Sequence, residues 1–337
     1  MLSRIAESLF WTGRYLERAE DTARLLDVQI NQLLEGANIA ESTVAKTLQS
    51  VMGVPVTLHQ RTDLVAVTAA LSVSRDEPSS ISSSLSGARE NARGIRESIS
   101  SELWECLNAT LVELDARGPA TEQMGPHEFF RFARFVRERV AIAVGIADAT
   151  MSRDDGWQFM LLGRNIERAD MTARLLAAQL NGPRGEPDWA TTLRACSAYE
   201  AYLRTYRGVI VASKAIEFLV LDRYFPRSVY FSLLTAENCL GALEQQQSRS
   251  GAGEEARRIV GRARTTLEYQ TVDEIILRLP GHLHDVQEAC SKASTAIATT
   301  YFQFEATLAW RAEDASQHLE RGTKAAKTMQ PKRGILQ

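Results

Sequence analysis

The chain's 337 residues exceed what a single core usually fills, so two domains or one large duplicated domain are expected. With 42 acidic side chains against 39 basic ones, a net charge of −3, the protein has no electrostatic claim on nucleic acid or on an anionic membrane. The longest apolar run, Val140 to Ala147, is far too short to span a bilayer.

In chain order, the opening stretch carries charges throughout and lacks the apolar core of a signal peptide. Leu2, Ile5, Leu9, Thr12, Leu16, Ala19, Ala23, Leu26, Ile30 and Leu33 recur three and four residues apart, which predicts one long helix over 3–35, stopped by Gly36. Gly53 and Pro55 break the chain again, and the short run 51–58 could be extended. A Ser-rich stretch from Arg75 to Ser86, with Pro78, reads as a loop capping a helix that runs from about Ser80 to Arg117. Gly118-Pro119 and Gly125-Pro126 predict a connection. Pro126 then opens a helix whose Phe129, Phe130, Phe132 and Phe135 are expected in the core.

Asp154-Asp155-Gly156 starts the next long helix, 157–181, which ends in Asn181-Gly-Pro-Arg-Gly-Glu-Pro187. Helices are expected at about 188–218, 228–249, 253–279 and 281–320, followed by a basic tail, 325–337, that frays. His282 and His284 give a weak metal signal with no third ligand nearby, so a loop or surface position is expected for them. Cys106, Cys196, Cys239 and Cys290 form no CxxC pair, and buried reduced thiols in a cytoplasmic protein are the simplest reading.

An internal repeat organises this pattern. Residues 13–26, GRYLERAEDTARLL, return as residues 163–176, GRNIERADMTARLL, identical at ten of fourteen positions at an offset of 150. Leu71, Arg75, Pro78, Ser80, Ser84 and Leu85 recur as Leu219, Arg223, Pro226, Ser228, Ser232 and Leu233 at an offset of 148. Two matches in the same order predict a tandem duplication. The expected fold is all-α: a long-helix bundle built from two tandem copies of one module, 1–150 and 151–324, packed about a pseudo-twofold.

Within the repeat, the shared positions wrap all the way round the helix, whereas a surface helix needs only its apolar stripe. Both helices are therefore expected to be surrounded by protein, with Gly13 and Gly163 allowing close backbone approach. Charges placed there must be paired. Arg14 with Glu17 at i,i+3 and Glu20 with Arg24 at i,i+4 are the local candidates, Glu20 lying nearer solvent. Three readings follow. The charges form a network that fixes packing, or arginine forks receive a carboxylate or phosphate, or the acids hold a metal. The last is disfavoured, because the acids are matched by arginines and no Glu-x-x-His occurs. The sequence carries no glycine-rich phosphate loop, nucleophile elbow or recognised cysteine–histidine spacing.

The motif pair, together with residues 88–96 (ARENARGIR), 102–108 (ELWECLN) and 225–229 (FPRSV), resembles the bacterial alpha-E family over nearly the whole chain. The resemblance implies signature roles for Glu17, Arg18, Glu167 and Arg168, and a second motif in Arg89, Asn91 and Arg93. The second half departs there, with Ala236 and Leu240 in place of the arginines. It also implies a place beside an ATP-grasp ligase and a transglutaminase-like protein, and therefore in amide-bond formation or peptide modification.

The leading expectation is an accessory helical component that docks such a ligase or presents its substrate. A second is an enzyme acting on a small anionic substrate in a pocket bordered by Arg14, Glu17, Arg18, Arg164, Glu167 and Arg168, with Arg89, Asn91 and Arg93 on its basic side. An isoprenoid-synthase-like variant would need acids free to hold magnesium. A third is a purely structural, dimerising protein. No cofactor or metal is assigned.

Overall fold

The computed structural model describes residues 2–35, 40–54, 64–121, 126–180, 188–244 and 253–302. Among them the secondary structure is entirely helical. Two long helices, α1 (Ser3–Leu34) and α7 (Asp155–Leu180), pack directly on each other at the centre. They run in the same direction: residues 10–13 of α1 face residues 160–163 of α7, and residues 14–18 face 164–168.

Against α1 lie α4 (Ile81–Arg93) and α6 (Pro126–Thr150), with α5 (Ser101–Thr121) closing the group. Against α7 lie α11 (Val229–Leu243) and α14 (Leu279–Tyr301), closed by α12 (Glu255–Glu268). Shorter helices flank this frame. They are α2 (Glu41–Met52), α3 (Leu64–Val73), α8 (Trp189–Ala195), α9 (Tyr199–Tyr206), α10 (Ala212–Leu221) and α13 (Val272–Leu277). Of these, α2 reaches across to α7 and α8 reaches across to α1. One apolar core runs through the molecule, including the expected Phe129, Phe132 and Phe135, while Phe130 is exposed. Among the described residues, no helix is long and apolar enough to cross a membrane.

The Ser-rich stretch caps as expected: Ser80 Oγ accepts the Ser83 N–H at the start of α4, and Ser228 Oγ accepts the Phe231 N–H at the start of α11. Several helix boundaries differ from expectation. The helix from Ser80 stops at Arg93, turns through Arg96–Ser98 with Ile95 fully buried, and restarts where Ser100 Oγ accepts the Leu103 N–H. Past Arg117 the second piece continues through Gly118 and Pro119 to Thr121.

The stretch 188–218 divides into three helices. The first break is a Schellman turn in which the Ser197 N–H donates to the Arg194 carbonyl and the Ala198 N–H to that of Leu193. Ser197 takes the left-handed conformation there, at φ 56°. The stretch 253–279 divides at Thr271, which forms a capping box with Glu274. Pro280 sits in the first turn of α14, so His282 lies on the buried face of that helix with Leu279, Leu283 and Val286. His282 is therefore not on a loop or at the surface; His284, the next-but-one residue, is exposed. Gly36, Pro55, residues 181–187 and the tail lie outside the described residues.

Candidate functional site

The crossing of α1 and α7 is a site made by two glycines. A Cβ built on Gly13 would stand 2.2 Å from the Met160 carbonyl oxygen, and one on Gly163 would stand 2.1 Å from that of Phe10. Only a residue without a side chain permits this approach, in which one helix backbone rests on the other. Side chains one turn further along are thereby brought within reach of the opposite helix.

The resulting ion pairs are reciprocal. Glu167 Oε2 accepts Arg14 Nε at 2.7 Å, and Glu167 Oε1 accepts Arg18 Nε at 2.6 Å. Glu17 accepts Arg168 Nε at 2.7 Å and Nη2 at 2.8 Å, a bidentate fork, with Arg164 Nε 3.5 Å away. Arg14 therefore pairs with Glu167 and not, as the i,i+3 spacing predicts, with Glu17: the glycine contact places a carboxylate on the opposing helix within its reach. Arg14 also donates to Ser294 Oγ on α14. The Glu20–Arg24 pair forms as expected at 2.6 Å, although Glu20 is largely buried, its side chain 16% exposed.

Arg227 completes the network. From the loop after α10 it reaches Glu17 at 2.9 Å, Glu20 at 2.8 Å and Asp21 at shorter range. The same loop is pinned by Arg168 Nη1, which donates to the Pro226 carbonyl, and by Thr172 Oγ1, which donates to that of Arg227. Spacing arguments confined to the motif do not find Arg227. The available signal was the surplus of acids in the first copy, Glu17, Glu20 and Asp21, against Glu167 and Asp170 in the second.

Electrostatics separate these carboxyls. Burial would lift the Glu167 carboxyl, but Arg14 and Arg18 overrule it and hold it down at about 2. Glu17 is likewise buried, and Arg168, Arg227 and Arg164 hold it well below the usual carboxylate range. Asp21 goes the other way. Burial, reinforced by the negative charges of Glu17 and Glu20, outweighs Arg227 and pushes it up to about 7. Burial also lowers the Arg164 guanidinium, which Glu17 compensates only in part.

The structure thus gathers Arg14, Glu17, Arg18, Arg164, Glu167 and Arg168. Arg89, Asn91 and Arg93 find other partners on and beside α4. Arg89 binds Asn108 and Glu90 and covers the Trp104 ring, Asn91 donates to the Gly87 carbonyl, and Arg93 pairs with Glu90. Among the described residues, none of the three exchanges a hydrogen bond or ion pair with Glu17 or Glu167. No group of three His, Cys, Asp or Glu side chains among them is placed to hold a metal ion.

The glutamate–arginine pairs that lock α1 to α7 are the feature by which this chain can be compared with others. A family model, Alpha-E, described as a predicted alpha-helical domain with a conserved ER motif, matches residues 1–302. The chain belongs to the Alpha-E family. Among curated proteins it is similar to uncharacterized proteins of Mycobacterium bovis and of Mycobacterium tuberculosis strain H37Rv, each 26% identical over 252 residues. The match takes in 68% of this chain but only 28% of each relative, so the chain spans little more than a quarter of their length. No solved structure matches the chain.

Proposed function

We propose that this Alpha-E chain is an accessory helical module, built from two tandem copies of one unit related by a pseudo-twofold, that serves an ATP-grasp ligase in a peptide-modifying or amide-bond-forming system. The observation that carries this reading is the reciprocal clamp. Glu17 and Glu167 are each buried, ionised and held by arginines of the opposite helix. Groups neutralised in this way hold a surface together and leave no base or nucleophile at hand. The buried cysteines are no substitute, since burial pushes the Cys196 and Cys239 thiols up to about 12.

The two-copy reading is supported by the pairing of Gly13 with Met160 and of Gly163 with Phe10, at positions matching the sequence repeat. The accessory role is supported by the mycobacterial relatives, in which the matched region is a minor part of a longer chain. A transglutaminase-like protein is a further partner on this reading, and free thiols favour the cytoplasm.

The test is co-expression with an ATP-grasp ligase of the same organism, followed by mass measurement of the purified species and assay of ligase turnover with and without the helical chain. A stoichiometric complex or a dependent turnover is expected. Absence of both overturns the proposal. One observation favours a second reading, an enzyme acting on a small anionic substrate: Asp21 is held near neutrality amid arginines, as catalytic carboxyls often are. That reading requires the isolated chain to turn over a substrate and Asp21→Asn to abolish the reaction.

A further inference from the structure

On the outer side of the loop that carries Arg227 lies an open groove of about 500 Å³, between α9 and residues 222–226. Its volume suits a ligand of a few residues. The floor is aromatic: Phe218 and Phe225 stack with ring centroids 4.8 Å apart, and Tyr202 meets Phe218 edge-on beneath them. Tyr224 stands at the rim, 88% exposed, its side chain with no hydrogen-bond or ring partner among the described residues.

One wall is the face of α9 bearing Glu200 and Arg204. These are four residues apart on one helix, a spacing that favours an ion pair, yet neither forms one with the other or with any other described residue. Opposite them, Asp222 spends Oδ1 on the N–H groups of Tyr224 and Phe225. The groove therefore combines an aromatic floor, one guanidinium and one carboxylate that pair with no described residue, and a second carboxylate, Asp222, of which only Oδ1 is engaged.

We infer that this groove binds the free C-terminal end of a peptide whose last side chain is aromatic. Arg204 receives the terminal carboxylate through its planar fork. Phe225 and Tyr224 take the ring, and Glu200 accepts from the N–H groups that precede it. The loop that makes the binding wall is held from behind by the glutamate–arginine network, through Arg168 to the Pro226 carbonyl and through Arg227 to the acids. The motif thus sets the shape of a recognition surface that it does not itself line. This proposal stands apart from the ligase reading, because a chain that binds a peptide end without forming a ligase complex would keep the one and lose the other.

The experiment titrates the full chain with the dipeptide Gly-Phe, its C-terminal amide, and N-acetyl-phenylalanine by calorimetry. The same titrations are run on Arg204→Gln and Phe225→Leu, with melting curves confirming that these variants at the groove wall and floor fold as the wild type does. Gly-Phe is expected to saturate, and the amide and Arg204→Gln should each weaken binding by about tenfold or more, the scale of a lost charge-assisted hydrogen bond. Phe225→Leu should weaken binding while keeping the preference for the free carboxylate. N-acetyl-phenylalanine should still bind, since it keeps both the carboxylate and an N–H. No saturable binding of Gly-Phe, or binding that ignores both the amide cap and Arg204→Gln, overturns the inference.

Discussion

Replacing Gly13 with alanine adds one methyl group where two helix backbones touch. That carbon would lie 2.2 Å from the Met160 carbonyl oxygen, 3.1 Å from its carbon and 3.2 Å from the Arg164 nitrogen. An ordinary C···O contact is about 3.3 Å, so α1 and α7 must part locally by roughly 1 Å. Backbone cannot swing aside as a flexible side chain would. Overpacking of this kind costs about 1–3 kcal/mol. The same movement stretches the 2.6–2.8 Å bonds to Glu17 and Glu167, and each charge-assisted bond is worth about 1.5–3 kcal/mol. The long arginine side chains can follow part of the way, so about half of one such bond is a fair loss. Alanine returns about 1 kcal/mol through its higher helix propensity. The net expectation is a destabilisation of about 2–3 kcal/mol, read as a melting temperature lower by about 5 °C. Gly163→Ala, against the Phe10 carbonyl at 2.1 Å, should behave alike. Because one separation relieves both clashes, the double variant should cost less than the sum of the singles, a departure from additivity expected of sites in contact. Refutation would be a melting temperature raised by Gly13→Ala, as propensity alone dictates, or singles that add without remainder.

Glu17→Gln removes the charge shared by Arg164, Arg168 and Arg227, and should cost about 3–5 kcal/mol in denaturant titration; Glu20→Gln, partly exposed, should cost clearly less. Glu167 has a folded value of about 2, below its ordinary 4.5, so its contribution is complete above about pH 4.5 and disappears as pH falls toward 2; unfolding free energies measured across that range should decline, and less steeply in Glu167→Gln. Asp21 has the opposite sign: with its value raised from 3.8 to about 7, its contribution is complete below about pH 4 and is lost as pH rises through 7, so Asp21→Asn should flatten the stability profile between pH 4 and 8. Ser197→Gly should raise the melting temperature by the equivalent of about 0.5–1 kcal/mol, since a non-glycine residue at φ 56° carries left-handed strain; an unchanged or lower value would contradict that.

The long helices α1 and α7, their central place and the gathering of six charged residues were legible because apolar spacing and a repeated segment report on helices directly. The breaks at Gly94, Ser197 and Thr271 were less so, since apolar periodicity continues across them and only short capping signals mark the restarts. Pairing was harder still. The i,i+3 spacing of Arg14 and Glu17 describes one isolated helix, whereas Gly13 and Gly163 bring a second carboxylate closer. Arg227 and Asp21 are 206 residues apart, a contact that no local spacing encodes.

The Asp21–Arg227 pair has a consequence for how the chain could have arisen. At the matching places of the repeat stand Met171 for Asp21 and Ser79 for Arg227. On the two-copy reading, two identical first halves would leave a buried Asp21 facing a serine, whereas in two identical second halves Arg227 would meet a methionine in place of Asp21 while still facing Glu167 and Asp170, the counterparts of Glu17 and Glu20. The first arrangement strands a buried carboxylate without its counter-ion, a cost of several kcal/mol, and the second gives up one of the three acids that hold Arg227. The acid and its counter-ion therefore make the two halves complementary instead of interchangeable. On that reading, covalent linkage keeps the acid and its counter-ion together at equal dose, a pairing that neither half alone supplies.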